Sequence, residues 1–577
     1  MSFRRFLASV ESSQVFRRGE MVGIDQITQL VSSQRPLVYW SMELYDKEEN
    51  DIKGGGGLGI LAADTRRNAE QLGIPFVIVT PFYTQESHQQ LDGFWQQEQV
   101  VDMAPDERFR EFCMVDVSTM VHPTVPLRVY DRELGSTRLV VVTEPNFGEL
   151  YPGANNSDHR LYQEIALGFG GYKALKMEGI DAAFMQLNEA PTVFAALARL
   201  DDLMSFGHSL EVALRELRAQ TLYTNHTLVP AVEGEFSGDQ FHRLVMPNIH
   251  HEELRQWVWR LFSEHSTLKL SLLAIELAGM RSGVSRLHAR VARFYDSQGR
   301  PVRFQAVTNG ISSKWVLPQV ESYYHEIDVL RDGDLPSHRF RQNLLRIDPR
   351  KIRKLRAIGR TELNAVLRRR KNQYGQGFTV SDDAIVFDFK RRFAGYKRPD
   401  LAFSDTERLA AILQDNNAYF LLTGKPHASD ERMKQELQRI LQLVDSHPVL
   451  RERVHYIQDY DEEVGRALAW GSDCGINVPV IGEEACGTSW MKDIANMKLL
   501  ISTADGGVAD VRPIACLEVT QDNEQLSLYE NMEYACKVLG DDELLKREII
   551  RSLTAYLPVI SGTRMMARYL RLFMAHS

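Results

Sequence analysis

Several things are scarce in this 577-residue chain, and each scarcity narrows the field. There are five cysteines (Cys113, Cys474, Cys486, Cys516 and Cys536), with no CxxC pair and no regular spacing. That excludes a zinc ribbon or a disulfide scaffold and favours a reducing, cytoplasmic setting. No metal centre is expected. Long apolar runs are missing too: Arg4-Arg5 is followed only by Phe6-Leu7-Ala8 before polar residues return, too little for a signal peptide or a membrane span. Positive charge is not in excess, since 68 Lys and Arg face 77 Asp and Glu for a net charge of -9, which argues against a general nucleic-acid binder. Internal repeats and low-complexity stretches are absent. What remains, 44% hydrophobic and 25% charged, is a soluble globular composition long enough for two domains.

Short β-branched or aromatic runs alternate with longer amphipathic segments, the pattern of parallel sheets wrapped by helices. Strands are predicted at Leu37-Val38-Tyr39-Trp40, Phe76-Val77-Ile78-Val79, Leu139-Val140-Val141-Val142, Ala183 to Leu187 and Leu222-Tyr223-Thr224. A second set follows at Ile385 to Phe389, Tyr419 to Leu422, Val454 to Ile457 and Gly475 to Val478. Two sets imply an α/β protein of two Rossmann-like, doubly wound domains facing across a cleft, with ligands at the carboxyl ends of the strands. The turn signal Val307-Thr308-Asn309-Gly310-Ile311 marks the boundary. The expected division is an N-terminal domain 1–315, a C-terminal domain 316–550 and a terminal helix 551–577 that returns to the N-terminal domain. The run Arg368-Arg369-Arg370-Lys371 reads as the solvated face of a helix.

Three segments carry chemistry. In Glu484-Ala485-Cys486-Gly487-Thr488-Ser489-Trp490-Met491-Lys492 an apolar run leads into Gly487-Thr488-Ser489, which would cap a helix and gather backbone N–H groups where an anion can sit. Lys492, one turn on, reads from spacing alone as a solvated helix lysine, or as one placed to hold an aldehyde cofactor covalently. Gly54-Gly55-Gly56-Gly57-Leu58-Gly59 precedes a helical pattern and would let backbone amides approach an anion. Lys390-Arg391-Arg392-Phe393-Ala394-Gly395-Tyr396-Lys397-Arg398 follows a predicted strand, so its cations should gather at the strand's carboxyl end, suited to a phosphate dianion.

The wording of these segments resembles the α-glucan (glycogen and maltodextrin) phosphorylases of the short, unregulated type. The Lys492 segment with Thr503-Ala504-Asp505-Gly506 resembles that family's pyridoxal-phosphate lysine region. The stretch from Gly54 through Val77, with Tyr83-Thr84-Gln85 and Leu91-Asp92-Gly93, resembles its N-terminal glycine-rich region. Thr224-Asn225-His226-Thr227 is similar to a loop beside the sugar, and Gly283 to His288 to a segment whose histidine hydrogen-bonds the transferred glucose. Asn156-Ser157-Asp158-His159-Arg160, Tyr460-Asp461 and Thr563 to Tyr569 extend the likeness, which runs from about Leu37 to Tyr569; His427 stays unassigned.

The resemblance implies a GT-B architecture. Its implied catalytic residues are His288, Arg392, Lys397 and Glu484. Pyridoxal 5'-phosphate would be held by Lys492, Tyr460, Gly487, Thr488, Ser489 and Arg391. Phosphate and sugar contacts would come from Gly56, Gly57, His226, Arg391, Arg392 and Lys397. Departures accompany it: arginine at 391, Pro191 after Leu187-Asn188-Glu189-Ala190, Trp490 two before the lysine, and Met497 in place of a glycine. The implied reaction is retaining transfer of the terminal glucosyl unit of an α-1,4-glucan (glycogen, starch or maltodextrin) to orthophosphate, giving α-D-glucose 1-phosphate. No membrane or nucleic-acid partner is expected, and a homo-oligomer is possible. The rival readings are a nucleotide-sugar-dependent glucan synthase of the same fold, which would lack the cofactor lysine, and a catalytically lapsed glucan-binding homologue.

Overall fold

A computed structural model of the chain describes residues 30–50, 52–54, 56–152, 157–227, 234–262, 266–331 and 334–575. Gly55, Asn156 and the Arg4 to Ala8 run therefore lie outside the described residues. The chain divides into two compact units. One holds the described part of 17–86 with Val101–Thr308 and the chain from Met565 onward, and the other holds Ser87–Val100 with Asn309–Arg564. Among the described residues, no helix is long and apolar enough to cross a membrane.

The first unit is built on nine strands: β1 (Leu37–Ser41), β2 (Phe76–Pro81), β3 (Arg110–Val117), β4 (Val125–Leu134), β5 (Thr137–Thr143), β6 (Phe184–Asn188), β7 (Thr221–Asn225), β8 (Met280–Gly283) and β9 (Gln305–Ala306). Their order across the sheet is β9-β8-β7-β6-β1-β2-β5-β4-β3. Pairing is parallel from β9 to β5 and antiparallel at β5-β4-β3. Helices α1 (Gly57–Gln71) and α2 (Arg286–Val291) belong to this unit.

The second unit carries β10 (Ile385–Lys390), β11 (Ala418–Thr423), β12 (Val454–Ile457), β13 (Cys474–Asn477), β14 (Leu499–Ser502) and β15 (Leu517–Glu518), all parallel, in the order β12-β11-β10-β13-β14-β15. In chain order that is 3-2-1-4-5-6, the doubly wound arrangement whose strand order reverses between β10 and β13. Around it run α3 (Pro349–Leu367), α4 (Glu462–Gly471), α5 (Ser489–Ala495) and α6 (Asp542–Ile560); α7 (Gly562–Met574) then leads into the first unit.

The nine strands expected from sequence are all strands, shifted by a residue or two at their ends. β3, β4, β8, β9, β14 and β15 were not anticipated. Strand residues alternate between two buried faces, as a period of two requires. Val38, Trp40, Val77, Val79, Val140 and Val142 pack on one side of the first sheet, and Leu37, Tyr39, Phe76, Ile78, Leu139 and Val141 on the other. That second face is closed by Met565, Met566, Tyr569, Leu570 and Phe573 of α7, with the Phe184 and Phe573 rings 4.7 Å apart. In the second unit α3 and α4 cross at a glycine pair: a Cβ on Gly359 would lie 2.1 Å from the Trp470 carbonyl oxygen, and one on Gly471 2.5 Å from that of Gly359.

The arginine run expected inside a helix lies just past the end of α3. The helix stops at Leu367, where Arg368 is the cap. Arg369 pairs with Glu463 at 2.9 Å and Arg370 with Asp461 at 2.5 Å, so both are tied to the start of α4.

Candidate active site

In the second unit the carboxyl ends of β10 and β13 meet where strand order reverses, the place where doubly wound sheets bind ligands. The loop after β10 carries Arg391, Arg392 and Lys397, and the loop after β13 carries Glu484. Lys397 Nζ lies 2.5 Å from Glu484 Oε2 and Arg391 Nη1 lies 4.0 Å from it. Burial opposes ionisation of Glu484, but Lys397 and Arg391 outweigh it and hold the carboxyl below its ordinary value. The Glu484 amide donates to Asp505 Oδ2 at 2.9 Å, which fixes the loop. Arg391 is buried and its Nη2 donates to Ser489 Oγ at 2.6 Å, whereas its Nη1 finds no hydrogen-bond acceptor among the described residues. Arg392 is exposed and adds to the field at Glu484.

The remaining cations of the run leave the cluster. Arg398 turns to the Val478 carbonyl at 2.7 Å and to Glu524, and Lys390 is buried in a separate ionic group.

Lys492, the fourth residue of α5, is 4% exposed, and its Nζ stands 3.0 Å from the centroid of the Trp315 ring. Asn496 fixes that tryptophan, donating to the Trp315 carbonyl at 2.8 Å and accepting from the Leu317 amide at 2.8 Å. Thr488 occupies the cap position of α5 without a side-chain capping bond. Gly487 leaves room for Glu484, whose Cδ would be 3.3 Å from an added Cβ. Trp490 points away from Lys492 and meets Tyr556 of α6 edge-on at 5.2 Å. Met497 adopts φ 56, a left-handed conformation that explains why glycine suits the position. Tyr460 lies on the loop after β12; burial pushes its phenol up to about 12, with Lys390 opposing.

In the first unit the carboxyl ends of β1, β6, β7 and β8 gather a second group. Glu189, at φ 77, accepts the His226 amide at 2.8 Å and Asn225 Nδ2 at 3.3 Å. Ser285 caps α2 by accepting the His288 amide at 3.0 Å, and the Val284 amide donates to His288 Nδ1 at 3.2 Å. The His288 proton is therefore carried on Nε2, toward the Thr227 backbone, and among the described residues the buried His226 Nε2 makes no hydrogen bond. Burial pulls His288 down to about 4, with the Thr227 backbone opposing, and pulls His226 down to about 3, with His288 adding to the effect. Both are neutral imidazoles.

At the start of α1 the amides of Gly56 and Gly59 donate to Glu43 Oε2 at 2.8 and 3.2 Å, and Tyr151 donates to Oε1 at 2.5 Å. Gly57 is the first residue of α1. A phosphate contact at Gly56 would require Glu43 to give way.

A family model for carbohydrate phosphorylases matches residues 180–523, more than half of the chain. The chain belongs to the carbohydrate phosphorylase family. Among its relatives, a maltodextrin phosphorylase of Thermococcus litoralis is 26% identical over 82% of this chain and 61% of its own length. Glycogen phosphorylases of Mycobacterium tuberculosis and Aquifex aeolicus are each 28% identical over 82% of this chain, covering 60% and 74% of their own lengths. The chain thus spans about three fifths of the length of the first two.

For a member of this family, several residues around the site escaped sequence reasoning. Trp315 sits beside Lys492 without any motif to mark it, and Asp505, quoted within a motif, was given no role although it holds the Glu484 amide. Glu43 was hidden because it lies outside the glycine-rich motif whose Gly56 and Gly59 amides it accepts. Pro191 opens no gap: it lies in a short 3-10 turn, Ala190–Thr192, that is buried throughout.

Proposed function

We propose that this chain is an α-1,4-glucan phosphorylase, transferring the terminal glucosyl unit of an α-glucan to orthophosphate with retention and releasing α-D-glucose 1-phosphate. The observation that carries the reading is the cluster at the carboxyl ends of β10 and β13: an exposed Arg392, a Lys397–Glu484 pair, and Arg391 with one unsatisfied buried donor. A phosphate dianion supplies the acceptors such a cluster lacks.

The same residues suit a phosphorylated aldehyde cofactor. Lys492 offers a buried amine, and Arg391 Nη1 is an orphaned guanidinium donor beside the Ser489 hydroxyl. Pyridoxal phosphate would be held by Lys492, with Arg391, Ser489 and Thr488 toward its phosphate and Tyr460 and Gly487 lining it. When bound, it supplies a phosphate group able to exchange a proton with the substrate phosphate. Arg392 and Lys397 bind the substrate phosphate, with Gly57 offering a backbone donor. Glu484, ionised and held by Lys397, accepts from sugar hydroxyls. His288 and His226, neutral and buried, orient the sugar, His288 as a donor through Nε2–H.

Incubating the purified protein, supplemented with pyridoxal phosphate, with maltodextrin and orthophosphate should yield glucose 1-phosphate and little free glucose. Glucosyl transfer from a nucleotide sugar without phosphate dependence would overturn the reading in favour of a synthase. Glucan binding without turnover would identify a lapsed homologue.

A further inference from the structure

Beneath the phosphate cluster the second unit buries four charges. Lys390 Nζ is 2.7 Å from Asp388 Oδ2 and 2.5 Å from Asp493 Oδ1; Lys498 Nζ is 2.6 Å from both Asp388 Oδ1 and Asp493 Oδ1. None of the four side chains is more than 3% exposed. Ser472 joins them, its hydroxyl 2.5 Å from Asp388 Oδ1 and from Lys498 Nζ, and the Leu468 carbonyl lies 3.1 Å from Lys498 Nζ. Gly475 makes room: a Cβ there would fall 2.2 Å from Asp493 Oδ2. Two cations and two anions balance, so the group needs no counter-ion from a ligand.

Its position is what gives it chemical meaning. Lys390 immediately precedes Arg391, and Asp493 immediately follows Lys492. Tyr460 is close enough for its phenol to feel Lys390 and Asp388. The second unit therefore keeps two further buried amines, Lys390 and Lys498, around the amine proposed to take the cofactor.

We propose that this quartet sorts those amines: it holds Lys390 and Lys498 as paired ammonium ions, so that Lys492 alone condenses with an aldehyde cofactor. The inference rests on the reading that pyridoxal phosphate binds here. Condensation requires a nitrogen lone pair, which adds to the aldehyde carbon; a carbon–nitrogen double bond forms and the carbonyl oxygen leaves as water. An ammonium ion has no lone pair to give. Lys390 is gripped by two carboxylates, which raise its affinity for the proton against the cost of burial. Lys498, for which burial pulls the other way, has four acceptors within 3.1 Å, more than a neutral amine with two hydrogens can serve.

The test is borohydride reduction of the whole protein incubated with pyridoxal 5'-phosphate, followed by peptide mapping. The parent should carry its adduct on Lys492, and K492M should carry none. K492M/D493N, in which two lysines share one remaining carboxylate, should gain adduct on Lys390 or Lys498, at a tenth or more of the parent's yield on Lys492. K492M/D388N provides the same release should the first double variant not fold, folding being checked by its thermal transition. Label on Lys390 or Lys498 in K492M, or none in a folded double variant, overturns this inference alone. No adduct in the parent overturns the cofactor reading as well.

Discussion

At the scale of single residues, the site separates side chains that are already satisfied from side chains that are not. Lys397 and Glu484 satisfy one another, whereas Arg392 stands exposed. A charge-assisted hydrogen bond contributes about 1.5–3 kcal/mol, so Arg392→Ala should weaken the use of orthophosphate by roughly ten- to a hundredfold in phosphorolysis assays while leaving the thermal transition in place. Unchanged phosphate dependence would make Arg392 a solvated surface cation. The strand-end arginines and Lys492 were legible in the sequence because contiguous motifs name them. The Asp388–Lys390–Asp493–Lys498 quartet was not, because its members join β10 to α5 and the turn before β14 across a hundred residues. One sign of it was available: Asp388 and Lys390 alternate within an otherwise apolar parallel strand, where a charge must find a buried partner.

At the scale of elements, close approach of backbones does what side chains cannot. α3 and α4 touch through Gly359 and Gly471, and the carbonyl of Trp470 occupies the space a methyl group on Gly359 would need. Gly359→Ala should therefore destabilise the second unit by about 1–3 kcal/mol or more, since rigid backbone cannot swing aside as a side chain can. A urea unfolding midpoint equal to the parent's would refute that. The central strands were legible from their apolar runs because parallel strands are buried on both faces. The antiparallel strands β3 and β4 alternate polar and apolar residues and carry charges such as Arg110, Asp116 and Asp131, so they lack the continuous apolar run that marked the others. β9 and β15 have two residues each, too few for any periodicity. Thr488 and Gly487 were expected to cap α5, yet Thr488 makes no side-chain cap, because its loop is arranged around Glu484 and Asp505 instead.

At the scale of the whole molecule, buried titratable groups set the response to acid. His226 is held down to about 3, His288 and His455 to about 4, all chiefly by burial, while burial raises Glu164 to about 7. A histidine with a depressed folded value contributes stability above its unfolded value near 6.5 and loses it as pH falls toward the folded value. Glu164 acts in the opposite sense over the same interval, gaining stability as pH falls from about 7 toward its unfolded value near 4.5. The three imidazoles outnumber that carboxyl, so stability should fall between roughly pH 6 and 5. Urea midpoints at pH 7 and pH 5.5 measure this, and equal midpoints would mean that the imidazoles titrate in the folded state as they do in water. The path of the chain bears on its birth as well as its stability. The face formed by Tyr39, Phe76 and Ile78 is closed by Phe573 and its neighbours on α7, which leave the ribosome nearly five hundred residues later. At about 5–20 residues per second, that greasy surface waits on the order of half a minute to a minute and a half for its cover. The nascent polypeptide must be shielded by something other than itself for all of that time, and a stalled or truncated translation product would keep it bare indefinitely.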